Sequence, residues 1–286
     1  MITTLTLTVA SGAVRVPDPD PDHPDTQVWY TADWEPHAWF YPVGEDYWVR
    51  LNGIGTFRVD PSGGVLAVPD PETPFSLVVD AYRRTVLPQA LQFFGREVLH
   101  ASAVIAGDRV VGFSAYSKTG KSTLAFALAK RGYAPWADDA LAFETGPEGA
   151  RTLALPFAVR LRPESREHFG VEPLPPEDRP ENGSISVGAT SLPLAAICIL
   201  RRAEAGSGVR HGVEPLPASD VVSNLLPHAY WASLVDAARK ERMVRAYLAL
   251  AGEIDVYRVT MPESLDELPG LLDEIEERVL ARVGVA

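Results

Sequence analysis

VVGFSAYSKTGKSTLAFALAKRGYAPWADD, from Val110 to Asp139, decides how the rest of the chain is read. Its order predicts a strand, a loop, a helix, a second strand and a pair of acids. Ala115-Tyr116-Ser117-Lys118-Thr119-Gly120-Lys121-Ser122 fits the Walker A spacing G-x-x-x-x-G-K-[ST], with Ala115 where the first glycine would stand. Val110 to Phe113 is a short apolar run, as a buried strand requires. Leu124, Ala127 and Leu128 repeat at helical spacing, and Lys130, Arg131 and Gly132 form a helix stop.

The spacing has a chemical reason. A loop closing at a helix N-terminus aims several backbone N–H groups at one point, and the helix dipole adds positive potential there. Gly120 lets the backbone approach a phosphate without a Cβ in the way. Lys121 would bring a full charge to the β- and γ-phosphates, and Ser122 a hydroxyl to Mg²⁺. Ala115, Tyr116, Ser117, Lys118, Thr119, Gly120, Lys121, Ser122 and Thr123 are therefore the expected nucleotide-binding stretch. Ala115 is a departure, because alanine disfavours positive φ.

Upstream, Val98 to Ala106 reads as a strand, Gly107-Asp108 as a two-residue turn and Arg109 to Phe113 as the returning strand. If Ala106 faces Arg109, His100 falls opposite Ala115 at the mouth of the loop. A histidine there is either a charge stabiliser or proton carrier beside a γ-phosphate, or a strand-end residue satisfied by backbone. Downstream, Asp138 and Asp139 follow the second strand. A carboxylate at such a strand tip holds Mg²⁺, directly or through water. The second could be the base for an incoming hydroxyl; alternatively one acid is functional and its neighbour solvated, since adjacent strand residues face opposite ways.

LHASAV, a hairpin, and then GKSTLAFALAKRGYAPWADDALAF resemble the catalytic core of the HPr kinase/phosphorylase family, over about Leu99 to Phe143. The closer resemblance is to HPr-kinase-related serine kinases of bacteria, some of which sit in peptide-maturation clusters. His100, Gly120-Lys121-Ser122, Arg131-Gly132 and Ala137-Asp138-Asp139 match the family pattern position by position. The resemblance implies an α/β P-loop kinase core of the HPr kinase and phosphoenolpyruvate carboxykinase-like type. It also implies that Asp139 accepts the proton of a substrate serine. It carries the Walker roles to Lys121 and Ser122. The Leu-Glu-x-Arg-Gly stretch that supplies a metal-binding Glu in the HPr kinases proper has no counterpart here, so neither HPr as substrate nor phosphorolysis is carried over.

The chain has 286 residues, 46% hydrophobic and 22% charged, an ordinary globular balance. Net charge is −12, which argues against nucleic acid or an anionic membrane as partner. The single cysteine, Cys198 in LAAICIL, excludes an internal disulfide and reads as a small buried hydrophobe. The start of the chain lacks a signal-peptide pattern and no apolar run approaches about 20 residues, so a cytoplasmic location is expected. Oligomeric state is left open by the sequence, a homo-oligomer included.

Residues 1–73 are expected to form a small antiparallel β unit, rich in aromatics: Trp29, Trp34, Trp39, Tyr41, Tyr47 and Trp48. These rings are read as core filling, with an acceptor-recognition surface as the alternative. Residues 74–286 are expected to form the kinase-like domain with a helical C-terminal part. Phe75 to Phe94 has helical spacing with Leu77, Val78, Ala81, Tyr82 and Val86 on one face, and Pro88 should break or kink it. Leu153 to Leu161 reads as a strand, and Arg160 with Arg162 as a surface pair or a phosphate clamp. GVEPLPPEDRPENGSIS, beginning at Gly170, is long enough for a flap over an acceptor. Val209 to Val213 is expected to pair with the Leu194–Leu200 strand; His228, between two helices, receives no role.

Together these readings give an ATP- and Mg²⁺-dependent kinase. It would phosphorylate a hydroxyl, most readily a serine of a peptide, protein or small molecule. Lys121, Asp139 and His100 are its catalytic candidates, and Ser122 and Asp138 its metal ligands. The alternatives are a P-loop ATPase or switch, and a nucleotide-binding module without catalysis. ATP and GTP are not distinguished.

Overall fold

The computed structural model describes residues 5–157, 159, 161–172, 190–203, 211–230 and 237–283, and the backbone of 184–187. It is a mixed α/β structure that divides into two compact units: 1–96 with 175–189 and 231–242, and 97–174 with 190–230 and 243–286. The Phe75–Phe93 helical stretch falls in the first unit, with the N-terminal strands.

In the first unit, β1 (Leu5–Val9), β2 (Gln27–Tyr30), β3 (Pro36–Val43), β4 (Asp46–Leu51), β5 (Gly55–Val59) and β6 (Gly64–Pro69) make one sheet. It is completed by β13 (Ser184–Val187), in the order β13-β1-β6-β5-β4-β3-β2. From β2 to β6 it is an antiparallel meander, as alternating aromatic and β-branched residues between tight turns predict; β1 departs by running parallel to β6. Tyr41, Tyr47 and Trp48 are buried, but Trp34 is 81% exposed, so core filling does not account for every ring. Helix α1 (Phe75–Ala81) and helix α2 (Leu87–Phe93) are joined by a π-turn at Tyr82–Val86. Pro88 follows this π-turn at the start of α2, and the wide turn accommodates the break that a proline imposes inside a helical stretch. Val78, Ala81, Tyr82 and Val86 are buried as the spacing predicts, whereas Leu77 is exposed.

The second unit is built on β7 (Glu97–Leu99), β8 (Ala101–Ala106), β9 (Arg109–Ser114), β10 (Pro135–Ala137), β11 (Leu141–Glu144), β12 (Arg151–Leu153), β14 (Ser191–Arg202), β15 (Gly212–Pro215) and β16 (Asp255–Met261). The twelve-residue β14 serves two neighbourhoods. Its first residues pair antiparallel with β12, and its remainder lies parallel between β9 and β16. The β8–β9 hairpin holds the register expected from Gly107-Asp108, with Ala106 opposite Arg109 and Ala101 opposite Ser114.

Three expectations are corrected. Val98 to Ala106 is not one strand: the chain bends at His100, so β7 pairs with β11 while β8 pairs with β9 and β10. The strand beginning at Arg151 stops at Leu153, before Pro156, which has no N–H for a ladder. β15 pairs with β16 and not with β14, because both edges of β14 are already taken by β9 and β16. Arg160, and residues 173–183 of the expected flap, lie outside the described residues; the flap's last residues form β13.

Helix α3 (Lys121–Lys130) packs Leu124, Ala127 and Leu128 against Val104, Val111, Phe113 and Cys198 of the sheet. Helix α7 (Leu268–Ile275) adds Leu268, Leu271, Leu272 and Ile275 to the same core. Cys198 is fully buried there, and burial pushes its thiol pKa up. Arg131, just past α3, donates to Asp273 Oδ1 at 2.7 Å and to the Pro269 carbonyl at 3.1 Å, tying α3 to α7. Beneath the loop, a Cβ on Gly112 would sit 2.5 Å from Ile197 Cδ1 and 3.0 Å from Leu141 Cδ2. Gly112→Ala is therefore expected to destabilise the fold by about 1–3 kcal/mol through overpacking. Urea melts should show this as a lower midpoint with unchanged slope; an unchanged midpoint would show that the two side chains give way freely.

Candidate functional site

The loop between β9 and α3 closes as its residue types dictate. Gly120 caps α3 at φ 116°, ψ 17°, a left-handed position that favours glycine, and no side chain caps the first turn. Its carbonyl starts the helix by accepting the Leu124 N–H at 2.9 Å. Lys118 is also left-handed, at φ 71°, and its carbonyl accepts from Arg202 Nη2 at 3.0 Å, so the end of β14 holds the loop. Ala115 is fully buried and not among the positive-φ residues, so the missing glycine imposes no backbone strain at that position. Tyr116 is exposed, as are Ser117 and Lys118. Thr123 is turned into the protein, sharing a 2.9 Å hydrogen bond with Ser165 in α4 (Pro163–Phe169).

Lys121 is 6% exposed and donates from Nζ to the Ala115 carbonyl at 3.1 Å, folding its side chain back over the loop. Burial lowers its pKa, while the nearby carboxylates of Asp139 and Asp138 raise it. The two acids leave β10 together. Asp138 is buried, and its Oδ1 accepts from Ser122 Oγ at 2.8 Å and from Ser102 Oγ at 2.6 Å. Asp139 adopts φ 67°, so the backbone turns left-handed between the acids and the alternation of a strand does not separate them. Ser122 and Asp138 are thus joined by a hydrogen bond, and the charges of Asp138 and Asp139 both act on Lys121.

The structure places His100 at the bend between β7 and β8. Its carbonyl accepts from Ser114 Oγ at 3.0 Å, its N–H donates to the His228 carbonyl at 2.8 Å, and its ring lies 6.0 Å from that of Tyr230. His228, which the sequence left without a role, is a residue the spacing missed. It ends the turn Leu226–His228 and is buried. Its ring meets Tyr116 edge-on at 5.0 Å, and the pairing of Leu99 with Ala229 fixes this segment beside β7. Nothing local marked it, because it reaches the loop across more than a hundred residues. Burial, with a smaller contribution from the Lys121 charge, pushes its pKa down to about 4.

That shift has a sign. His228 takes up its proton near pH 6.5 when unfolded and only near 4 when folded, so between those values the unfolded chain binds more protons. Its contribution to stability is complete above about pH 6.5 and declines as the pH falls toward 4. Replacing it with phenylalanine should flatten the pH dependence of unfolding in that window. Identical slopes for the two proteins would contradict the neutral, buried state.

Ser122 Oγ and Asp138 Oδ1 are hard oxygen donors 2.8 Å apart. They fit Mg²⁺, which keeps several waters and takes its remaining ligands from phosphates and one or two carboxylates. Among the described residues no group of three or more His, Cys, Asp or Glu could hold a metal alone. Also among these residues, no helix is long and apolar enough to cross a membrane.

No family model matches the chain, and no curated protein matches it in sequence. Among solved structures it is similar to the Hpr(Ser) kinase/phosphatase from Coxiella burnetii, at 12% identity and a TM-score of 0.33, over 65% of this chain and 93% of that one.

Proposed function

We propose that this chain is a P-loop kinase that transfers the γ-phosphoryl group of ATP, with Mg²⁺, to a hydroxyl, most readily a serine. The observation that supports the reading is the Ser122–Asp138 hydrogen bond beside the buried Lys121 on one glycine-closed loop at a helix N-terminus, with the Asp139 charge acting on Lys121. The resemblance of Leu99 to Phe143 to the HPr kinase core points the same way. Residues 115 to 123 cradle the triphosphate through backbone N–H groups, and Lys121 offsets charge on the β- and γ-phosphates. Magnesium, held by Ser122 and Asp138, would supply further charge neutralisation. Asp139 accepts the proton of the attacking hydroxyl, and His100 steadies the site from the bend it occupies. Positioning and electrostatics supply most of the rate in such a reaction.

A base beside the loop favours transfer over a switch, which needs a positioned water but no acceptor base. The test is incubation with γ-labelled ATP, Mg²⁺ and the products of neighbouring genes, followed by mapping of the label. Label on a serine of one of them is the expected result. Phosphate release at the same rate without any acceptor would make the protein a nucleotide hydrolase, and binding without turnover a nucleotide-binding module.

A further inference from the structure

Ser102 lies within β8, a strand whose Ala101, Ala103 and Val104 are all fully buried, and Ser102 itself is 0% exposed. A hydroxyl in such a place costs stability unless it is hydrogen-bonded. Its partner is delivered by strand register. The β8–β10 pairing shifts by one residue between Pro135 and Ala137, and after the shift Ala137 stands opposite Ala103. Continued one residue further, that register puts Asp138 opposite Ser102, and Ser102 Oγ donates to Asp138 Oδ1 at 2.6 Å. This lies in the short range of hydrogen bonds to an ionised acceptor. The same oxygen accepts from Ser122 at 2.8 Å. One carboxylate oxygen is therefore held from the strand side by Ser102 and from the loop side by Ser122.

The two serines differ in what they can do. Ser122 belongs to the loop and is itself a ligand candidate. Ser102 lies in strand β8, outside the loop, and would act on a metal through its hydrogen bond to Asp138.

We infer that Ser102 is a positioning residue that orients the Asp138 carboxylate for the nucleotide-bound divalent cation. The inference rests on the kinase reading above and adds to it a residue outside the Walker loop and outside the Asp138-Asp139 pair. Partners of metal-ligating carboxylates that are not themselves ligands change metal affinity by about 10- to 100-fold when removed. The affinity of the metal-free loop for nucleotide should be untouched, because the groups that would meet phosphate are the backbone N–H groups of residues 115 to 123 and the Lys121 ammonium, whereas Ser102 donates to Asp138.

The experiment uses the full chain with ATP and Mn²⁺ as the probe, reading free Mn²⁺ by its electron paramagnetic resonance signal rather than by turnover. Ser102→Ala is expected to weaken Mn²⁺ binding to the protein–ATP complex about 10-fold, while ATP binding measured without metal stays within about two-fold of wild type. Ser102→Cys keeps the volume and a weaker donor. It is expected to fall between the two, and is read by the same criterion if the alanine variant does not fold. Under turnover conditions the loss should appear as a raised Mn²⁺ requirement that high metal overcomes. Mn²⁺ affinity within two-fold of wild type would overturn the inference. So would an equal loss of metal-free ATP binding, which would make Ser102 a structural residue only. A wild-type protein whose ATP complex binds no Mn²⁺ would overturn the kinase reading and this inference with it.

Discussion

Lys121→Ala is expected to reduce phosphoryl transfer by at least about 100- to 1,000-fold, the loss typical of removing one preorganised stabiliser of developing charge. The ammonium is 6% exposed, held by the Ala115 carbonyl and influenced by two carboxylates. Its attraction for a triphosphate is weakly screened there, because little water stands between. Without it, the loop loses the cation on which the charges of the two acids act. Nucleotide affinity should fall with turnover, as titration calorimetry with ATP and Mg²⁺ would measure. Unaffected kinetics would reject the loop as the nucleotide site.

Asp139→Asn separates binding from chemistry. Asparagine is nearly isosteric and tolerates the left-handed φ of 67° that this position requires, so the turn should survive. It cannot accept the acceptor's proton as a carboxylate does, and removal of a general base costs about 100- to 10,000-fold. Loss of one negative charge beside Lys121 should leave nucleotide binding intact or slightly tighter. Single-turnover transfer of labelled phosphate reads the first effect, and binding of a fluorescent ATP analogue reads the second. Retained turnover would reject Asp139 as the base.

The parts of the site visible in the sequence are those set by short-range rules. Gly120, the helix stop at Gly132 and the Gly107-Asp108 turn are backbone demands written into single residues, and the structure meets each of them. The hairpin register followed from a two-residue turn, but the end of β8 did not: His100 leaves the ladder because β7 is drawn to β11, a partner more than forty residues away. The fixtures around the loop were illegible for the same reason. Arg202 reaches Lys118 from the end of β14, Ser102 reaches Asp138 through a shifted strand register, and His228 is brought in by a turn after α5 (Ala218–Leu225). None lies in a motif, and each owes its place to tertiary packing. Strand neighbourhoods failed similarly at β15, since no local pattern says that β14 has no edge left to offer.

Among the described residues four non-glycine residues have left-handed backbone, and two of them belong to the candidate site: Lys118 within the loop and Asp139 after β10. Each carries a conformational penalty of roughly 1 kcal/mol that a glycine would not. At Lys118 only the carbonyl is engaged by Arg202 in the loop's bracing, so relief there is compatible with the same bond. At Asp139 relief would remove the carboxylate itself. Under the proposed mechanism, sturdiness and chemistry therefore pull in opposite directions at residue 139: glycine there should raise heat resistance and abolish transfer.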